Sequence, residues 1–225
     1  MGDSDRLTGL WLEELAEPYY IFTFAGALIT LASPEGGAVP LDPQSESLIM
    51  SNSTIRRFQK DPVALQMMEE TVTFDTLTAD DFDMVLVTGG HGAMWDFPGN
   101  AALKHLLEEF SRQGKPIGAI SHGVVALVNL QDPEGGSLMK GRRLTAFTDS
   151  EEQSSGLTAV VPFLLESALT KLGATFVKGN NYVSNVITDG NLVTGQNPSS
   201  AKETARQLLA CLRKQANRLP AEALT

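Results

Sequence analysis

Ser121 and His122 stand side by side in GKPIGAISHGVVALVNL, where an apolar, β-branched run stops and a run of small residues begins. A strand that turns at once into a helix lifts its central side chain into a cleft. Small residues two places either side let the backbones approach, and Ala119 and Gly123 meet that need. Ser121 is thus a candidate nucleophile with free N–H groups and a positive dipole end behind it; the plainer reading makes it a helix cap. A hydrolase with the order Ser, acid, His is excluded because no histidine follows His122. The second candidate is GGHGAMWD, Gly89 to Asp96, which follows the clearest strand. Its glycines allow an amide near Gly90 or His91 to point at a substrate oxygen. GGHG fits neither a Walker pattern nor GxGxxG, so phosphate is not the expected ligand. Carboxylates suited to proton transfer come in pairs, Glu13 with Glu14 on the first helix and Glu151 with Glu152 after RRLTAF. Spacing does not choose within either pair. His105, in LKHLLEEF, reads as solvated. His91, His122 and nearby carboxylates lack the spacing of a ligand signature, so no metal is expected.

Elements must bring these residues together. LTGLWLEELAEPYYIFTFAG has apolar residues near helical spacing, with Pro18 as a break or kink and Gly26 closing it. ALITLASP reads as a strand, residues 35–51 as a surface excursion rich in Gly, Pro and Ser, and DPVALQMMEETV as helix. FDMVLVTGG has the form of a buried parallel strand, HGAMWDFPGN of a loop, and NAALKHLLEEFSRQGK of an amphipathic helix ending at Gly114. Strand PIGAI, a helix from about Gly123, loop QDPEGGSLMKG and strand RRLTAF follow. Asp149 or Ser150 is placed to cap the next helix, and VPFLLESALTKLG forms another. NVITDGNLVTGQ alternates about Asp189-Gly190 as a hairpin does, and SSAKETARQLLACLRKQ is the last helix. Alternating strand and helix imply an α/β three-layer sandwich, a largely parallel sheet with helices on both faces.

The 225 residues and 42% hydrophobic content suffice for a single domain over 1–225. A net charge of -10 without a basic cluster excludes nucleic acid and an anionic membrane surface as partners. No apolar run reaches membrane-spanning length, and the start shows no export signal, which predicts a cytoplasmic protein. The single cysteine, Cys211, is a packing residue of the last helix on its spacing.

Taken together, LTGLWLEELAEPYY, LASPEGG, GGHGAMWDFP, AISHG, LTAFTDSEE, VPFLLE and VITDGNLVTGQNPSSA resemble the ThiJ/PfpI superfamily and its flavodoxin-like, class I glutamine amidotransferase-like fold. Within it they look most like the glyoxalase III branch of heat-shock-type, stress-response members. The resemblance implies cofactor-independent conversion of methylglyoxal and related α-oxoaldehydes to hydroxy acids such as lactate, and a homodimer. It assigns the nucleophile position to Ser121, histidine to His122, and the two carboxylates to Glu14 and Glu152. It also implies oxyanion and substrate-binding groups at Gly90, His91 and Gly123. The chain departs from the branch in having serine where the elbow cysteine belongs, so activity is expected to be weakened by orders of magnitude or absent. It also opens on MGDSDRLTG where relatives carry an apolar strand, which predicts either a start assigned downstream of the real one or a sheet lacking its usual first strand. Two other readings compete. A stress-protective holdase binding unfolded proteins would use exposed apolar surface around Leu41 to Ile49, Trp95 and Phe97. An amidase or peptidase would use Ser121 as acyl acceptor.

Overall fold

In the computed structural model, residues 1–47, 50 and 52–217 are described. Helix α1 (Leu12–Phe24) buries Leu12, Ala16 and Tyr19, which recur at helical spacing along one face, and also buries Glu14 and Phe22 on other sides, since it is packed on more than one face. Pro18 lies inside α1, and the helix runs through it without the expected break, losing only the one hydrogen bond its missing N–H would have made. The predicted strand over 27–34 contracts to β1 (Ala32–Ser33), because its backbone pairs only with β2 (Val72–Thr73). Between them lie α2 (Ser53–Phe58) and α3 (Pro62–Glu69). Residues 35–47 are tied to the body: Leu41 bridges Leu10, and buried Asp42 accepts hydrogen bonds from Thr8 Oγ1 and the Gln44 N–H.

The sheet that organises the molecule has the order β3 (Val85–Val87), β4 (Ile117–Ile120), β8 (Leu192–Gly195), β7 (Val186–Asp189). The first three are parallel, while β7 and β8 form the antiparallel hairpin expected about Asp189-Gly190. Strands β3 and β7 are the outer strands of the four, and in β3 Val85 and Leu86 are only partly buried. On one face α5 (Ala101–Arg112) packs Leu103, Leu106, Leu107 and Phe110 into the cluster that holds Ile117 and Ala119. Each such side chain contributes about 1.5–3 kcal/mol on burial. On the other face α1 and α8 (Ala201–Ala216) cover β8 through Phe22, Val193, Ala205 and Leu208. Gly118 makes that closeness possible, since a Cβ there would stand 2.9 Å from Leu208 Cδ2. The result is the expected three-layer α/β sandwich.

Several local expectations are corrected. The loop over 91–100 contains a short helix, α4 (Ala93–Asp96), and Trp95 and Phe97 pack partly buried against the main core instead of forming exposed apolar surface. Leu48 and Ile49 of the proposed apolar excursion lie outside the described residues. The helix expected from Gly123 begins at Ser121 and is of 3₁₀ type to Leu127. RRLTAF yields only β5 (Arg143–Leu144), parallel to β6 (Thr175–Phe176). The cap of α6 (Asp149–Ser155) is Thr148, not Asp149 or Ser150: its hydroxyl accepts from the Glu151 N–H while the Glu151 side chain accepts from the Thr148 N–H. Asp149 instead binds Ser167 at the start of α7 (Leu165–Lys171). Cys211 is half-buried against the α1/α8 cluster, and His105 is exposed, both as expected.

Candidate active site

Strand β4 delivers Ser121 to its C-terminal end, where open parallel sheets keep their ligands. Ser121 has φ 53°, a left-handed conformation that a non-glycine residue holds only under constraint, at about 1–3 kcal/mol. The constraint is visible beside it. A Cβ on Gly123 would stand 2.7 Å from the Thr88 carbonyl, so the segment after the elbow is pressed against the end of β3. Gly89 is pinned on the other side, its missing Cβ falling 2.6 Å from the Gly123 nitrogen and 2.9 Å from Glu14 Oε2. Gly90 has φ 111°, and a Cβ there would stand 2.1 Å from the Gly9 carbonyl oxygen and 2.7 Å from the Trp11 nitrogen. The elbow thus depends on small residues contributed by two strands, not only by its own.

Two acid–base arms converge on Ser121. The first is Glu14, wholly buried, whose Oε2 accepts the Gly89 N–H at 2.6 Å. Burial drives its pKa up to about 8, against the pull of the Gly89 hydrogen bond and the nearby Ser121 hydroxyl, so it carries a proton at neutral pH. Its Oε1 completes no hydrogen bond. The second arm runs from Ser121 Oγ to His122 Nδ1, 3.5 Å away, and from His122 Nε2 to Glu152 Oε2 at 2.7 Å. Glu152 therefore fixes the proton on Nε2 and turns the Nδ1 lone pair toward Ser121, the arrangement a general base needs. Burial, with His91 adding to it, depresses the His122 pKa to about 4. Burial pushes Glu152 up, but the hydrogen bonds from His122 and His91 hold it well below the usual carboxylate range.

Of the expected residues, the structure brings Ser121, His122, Glu14, Glu152, Gly90, His91 and Gly123 into one neighbourhood. It adds a bond that the sequence did not suggest: the His91 ring, expected to serve substrate through its backbone, has Nε2 2.9 Å from Glu152 Oε1 and its centroid 4.0 Å from that of His122. Phe147 also lies against His122, at 4.3 Å between centroids, and was missed because nothing distinguishes it from a core residue. The paired neighbours take other work. Glu13 accepts from Asn52, the N-cap of α2, and Glu151 anchors Asn197 and the backbone of Tyr182.

Residues 9–211 match the DJ-1/PfpI family. The chain belongs to that family. A DJ-1/PfpI assignment also fits the individual likenesses. Glyoxalase 3 of Candida albicans is 30% identical over 91% of this chain and 90% of its own. The crystal structure of glyoxalase III from Candida albicans superposes with a TM-score of 0.85 at 28% identity, covering 91% of this chain and 88% of that one. Rapid Encystment Protein 24 kDa of Francisella tularensis superposes with a TM-score of 0.90 at 35% identity, over 94% and 93% of the two chains. The two Candida albicans likenesses support the glyoxalase III-like branch that the sequence motifs suggested.

Glu14 supports a test on stability alone. Its folded pKa of about 8 stands above the ordinary 4.5, so the folded state holds its proton more tightly and stability falls as pH rises through that interval. Glu14→Gln keeps an oxygen for the Gly89 N–H and removes the titration. Its advantage over the parent is expected to be absent below pH 4.5, to grow to about pH 8 and then to level off. Each pH unit of separation is worth about 1.4 kcal/mol. Urea unfolding of both proteins across that range measures it, and a constant difference would show that Glu14 is not the buried acid described.

Proposed function

We propose that this chain carries the site of a glutathione-independent glyoxalase acting on small α-oxoaldehydes such as methylglyoxal, with the reaction slowed by serine at the attacking position. The observation that carries this reading is the left-handed Ser121 set between a protonated Glu14 and the His122–Glu152 pair. Its relatives named as glyoxalases support the substrate class. The chemistry needs no external oxidant: the aldehyde carbon rises to the acid level as the ketone carbon falls to the alcohol, and one water is added. Ser121 Oγ bonds to the aldehyde carbon as its proton passes to His122 Nδ1. One proton then leaves the aldehyde carbon and one joins the ketone carbon, carried by Glu14 or His122. Water finally cleaves the Ser121 ester to release lactate. Amides at Gly90, His91 and Gly123 are the donors for the developing oxyanion in this scheme.

Ser121 and His122 are each only 2% exposed, which suits a small substrate better than an unfolded chain or a peptide. The holdase reading loses its proposed surface at Trp95 and Phe97, and the relatives' names do not favour it. Among the described residues no helix is long and apolar enough to cross a membrane. A cytoplasmic homodimer belongs to the same proposal. The test is lactate formation from methylglyoxal by the chain as given, by Ser121→Cys and by Ser121→Ala, all checked for folding. Turnover in the cysteine form that the alanine form lacks supports the reading. No turnover in any folded form counts against it.

A further inference from the structure

The arrangement of His91, His122 and Glu152 does more than the general-base reading requires. A single carboxylate would suffice to orient His122, yet a second imidazole from the glycine-rich loop also aims its Nε2 at Glu152. Ligand atoms of the three side chains lie within 4.8 Å of one another, and no other group of three or more such residues is found among the described residues. Two imidazoles and one carboxylate are the donor set of three-ligand zinc sites that leave a fourth position to water. We propose that His91, His122 and Glu152 form a site for a divalent transition ion, zinc best matching the donors, whose binding is incompatible with His122 acting as base toward Ser121.

The incompatibility follows from the tautomer. In the metal-free arrangement His122 Nε2 carries the proton bonded to Glu152, and Nδ1 faces Ser121 Oγ with its lone pair. A metal on Nε2 takes that lone-pair position, so the proton of the neutral ring must sit on Nδ1. Nδ1–H then donates to the Ser121 hydroxyl and can no longer receive its proton. Ligand atoms about 2.0–2.1 Å from zinc stand about 3.3 Å apart in a tetrahedron, and the three side chains already hold theirs within 4.8 Å of one another. Each imidazole now bonds a different Glu152 oxygen; admitting the ion brings the two imidazole nitrogens and one Glu152 oxygen to the tetrahedral spacing. Their outer support is present: Ser155 Oγ donates to Glu152 Oε1 at 3.1 Å, and Phe147 backs the His122 ring. His91 is the most exposed of the three, with 11% of its side chain accessible against 3% for His122 and 5% for Glu152, so the ion arrives on its side.

Binding itself does not depend on the glyoxalase reading; only its consequence for turnover does. The test uses the full chain with Ser121 retained, stripped of metal by chelator and titrated with Zn²⁺ by calorimetry. In parallel, Co²⁺ is read by its visible ligand-field bands, and ¹⁵N NMR of the histidine side chains is read before and after Zn²⁺. The expected result is one ion per chain at micromolar concentration and transfer of the His122 proton from Nε2 to Nδ1. Affinity should fall at least about 10-fold in His91→Asn, with folding confirmed by its melting curve. The proposal is overturned if no ion binds in large excess, if folded His91→Asn binds as the parent does, or if His122 keeps its Nε2 proton in the loaded protein. A failed lactate assay beside successful Zn²⁺ binding would remove the glyoxalase reading and leave the site standing.

Discussion

Ser121→Cys is expected to raise kcat/KM for methylglyoxal by about 10²–10⁴-fold, the range a positioned general base contributes when the step it assists is made easy. The reason lies in a mismatch between nucleophile and base. His122 has a pKa of about 4, so its ring is neutral and available, but it holds poorly any proton taken from an alcohol. A thiol, ordinarily near pKa 8.5, gives up its proton far more readily and attacks as thiolate. The cysteine would meet a site already built for it: the left-handed elbow is in place, and Glu14 holds a proton beside it up to about pH 8. A carboxylic acid that can donate a hydrogen bond stabilises a neighbouring thiolate, whereas it offers a serine hydroxyl no help in losing its proton. Initial rates of lactate formation at matched concentration measure the effect. Equal rates in folded serine and cysteine forms would show that proton removal from residue 121 is not what limits this site.

Glu152→Ala is expected to have the second-largest effect, on rate and stability together. Its loss leaves the Nε2–H groups of two nearly buried imidazoles without an acceptor, at about 1–3 kcal/mol each, and frees His122 to adopt the tautomer that points a proton at residue 121. In the Ser121→Cys background, turnover should fall by about 10²–10⁴-fold. Glu152→Gln separates the two effects: its carbonyl keeps one acceptor, while its NH₂ faces the other imidazole and imposes the wrong tautomer. Glutamine should therefore recover part of the stability lost in alanine and little of the rate. The pH dependence carries a sign. The folded pKa of Glu152 is depressed, so its contribution is present at neutral pH and is lost as pH falls below the ordinary carboxylate range. Urea unfolding of parent and Glu152→Gln should converge on acidification; a gap that persists in acid would show that the ionised carboxylate is not what holds the histidines.

What the sequence determined by itself was local. Ala119 and Gly123 about Ser121 announced the elbow, because a strand-to-helix turn needs small residues wherever it occurs. The amphipathic pattern of α5 and the Asp189-Gly190 hairpin were equally legible, since each depends on periodicity or turn chemistry within a few residues. The resemblance then singled out Glu14 and Glu152 from their pairs, and only tertiary structure supplied the reason. On α1, successive residues point about 100° apart, so Glu14 reaches Gly89, 75 positions away, while Glu13 turns toward Asn52. On α6, Glu151 is consumed by the cap at Thr148 and by Asn197, leaving Glu152 to meet His122 and His91. The role of the His91 ring was hidden for the same reason: it lies 61 positions before the carboxylate it binds, and no short-range pattern encodes such a contact. Burial decided the rest. Proton affinities at Glu14, His122 and Glu152 are properties of their enclosure and partners, which exist only once the sheet, its helices and the two glycine-lined turns have closed around them.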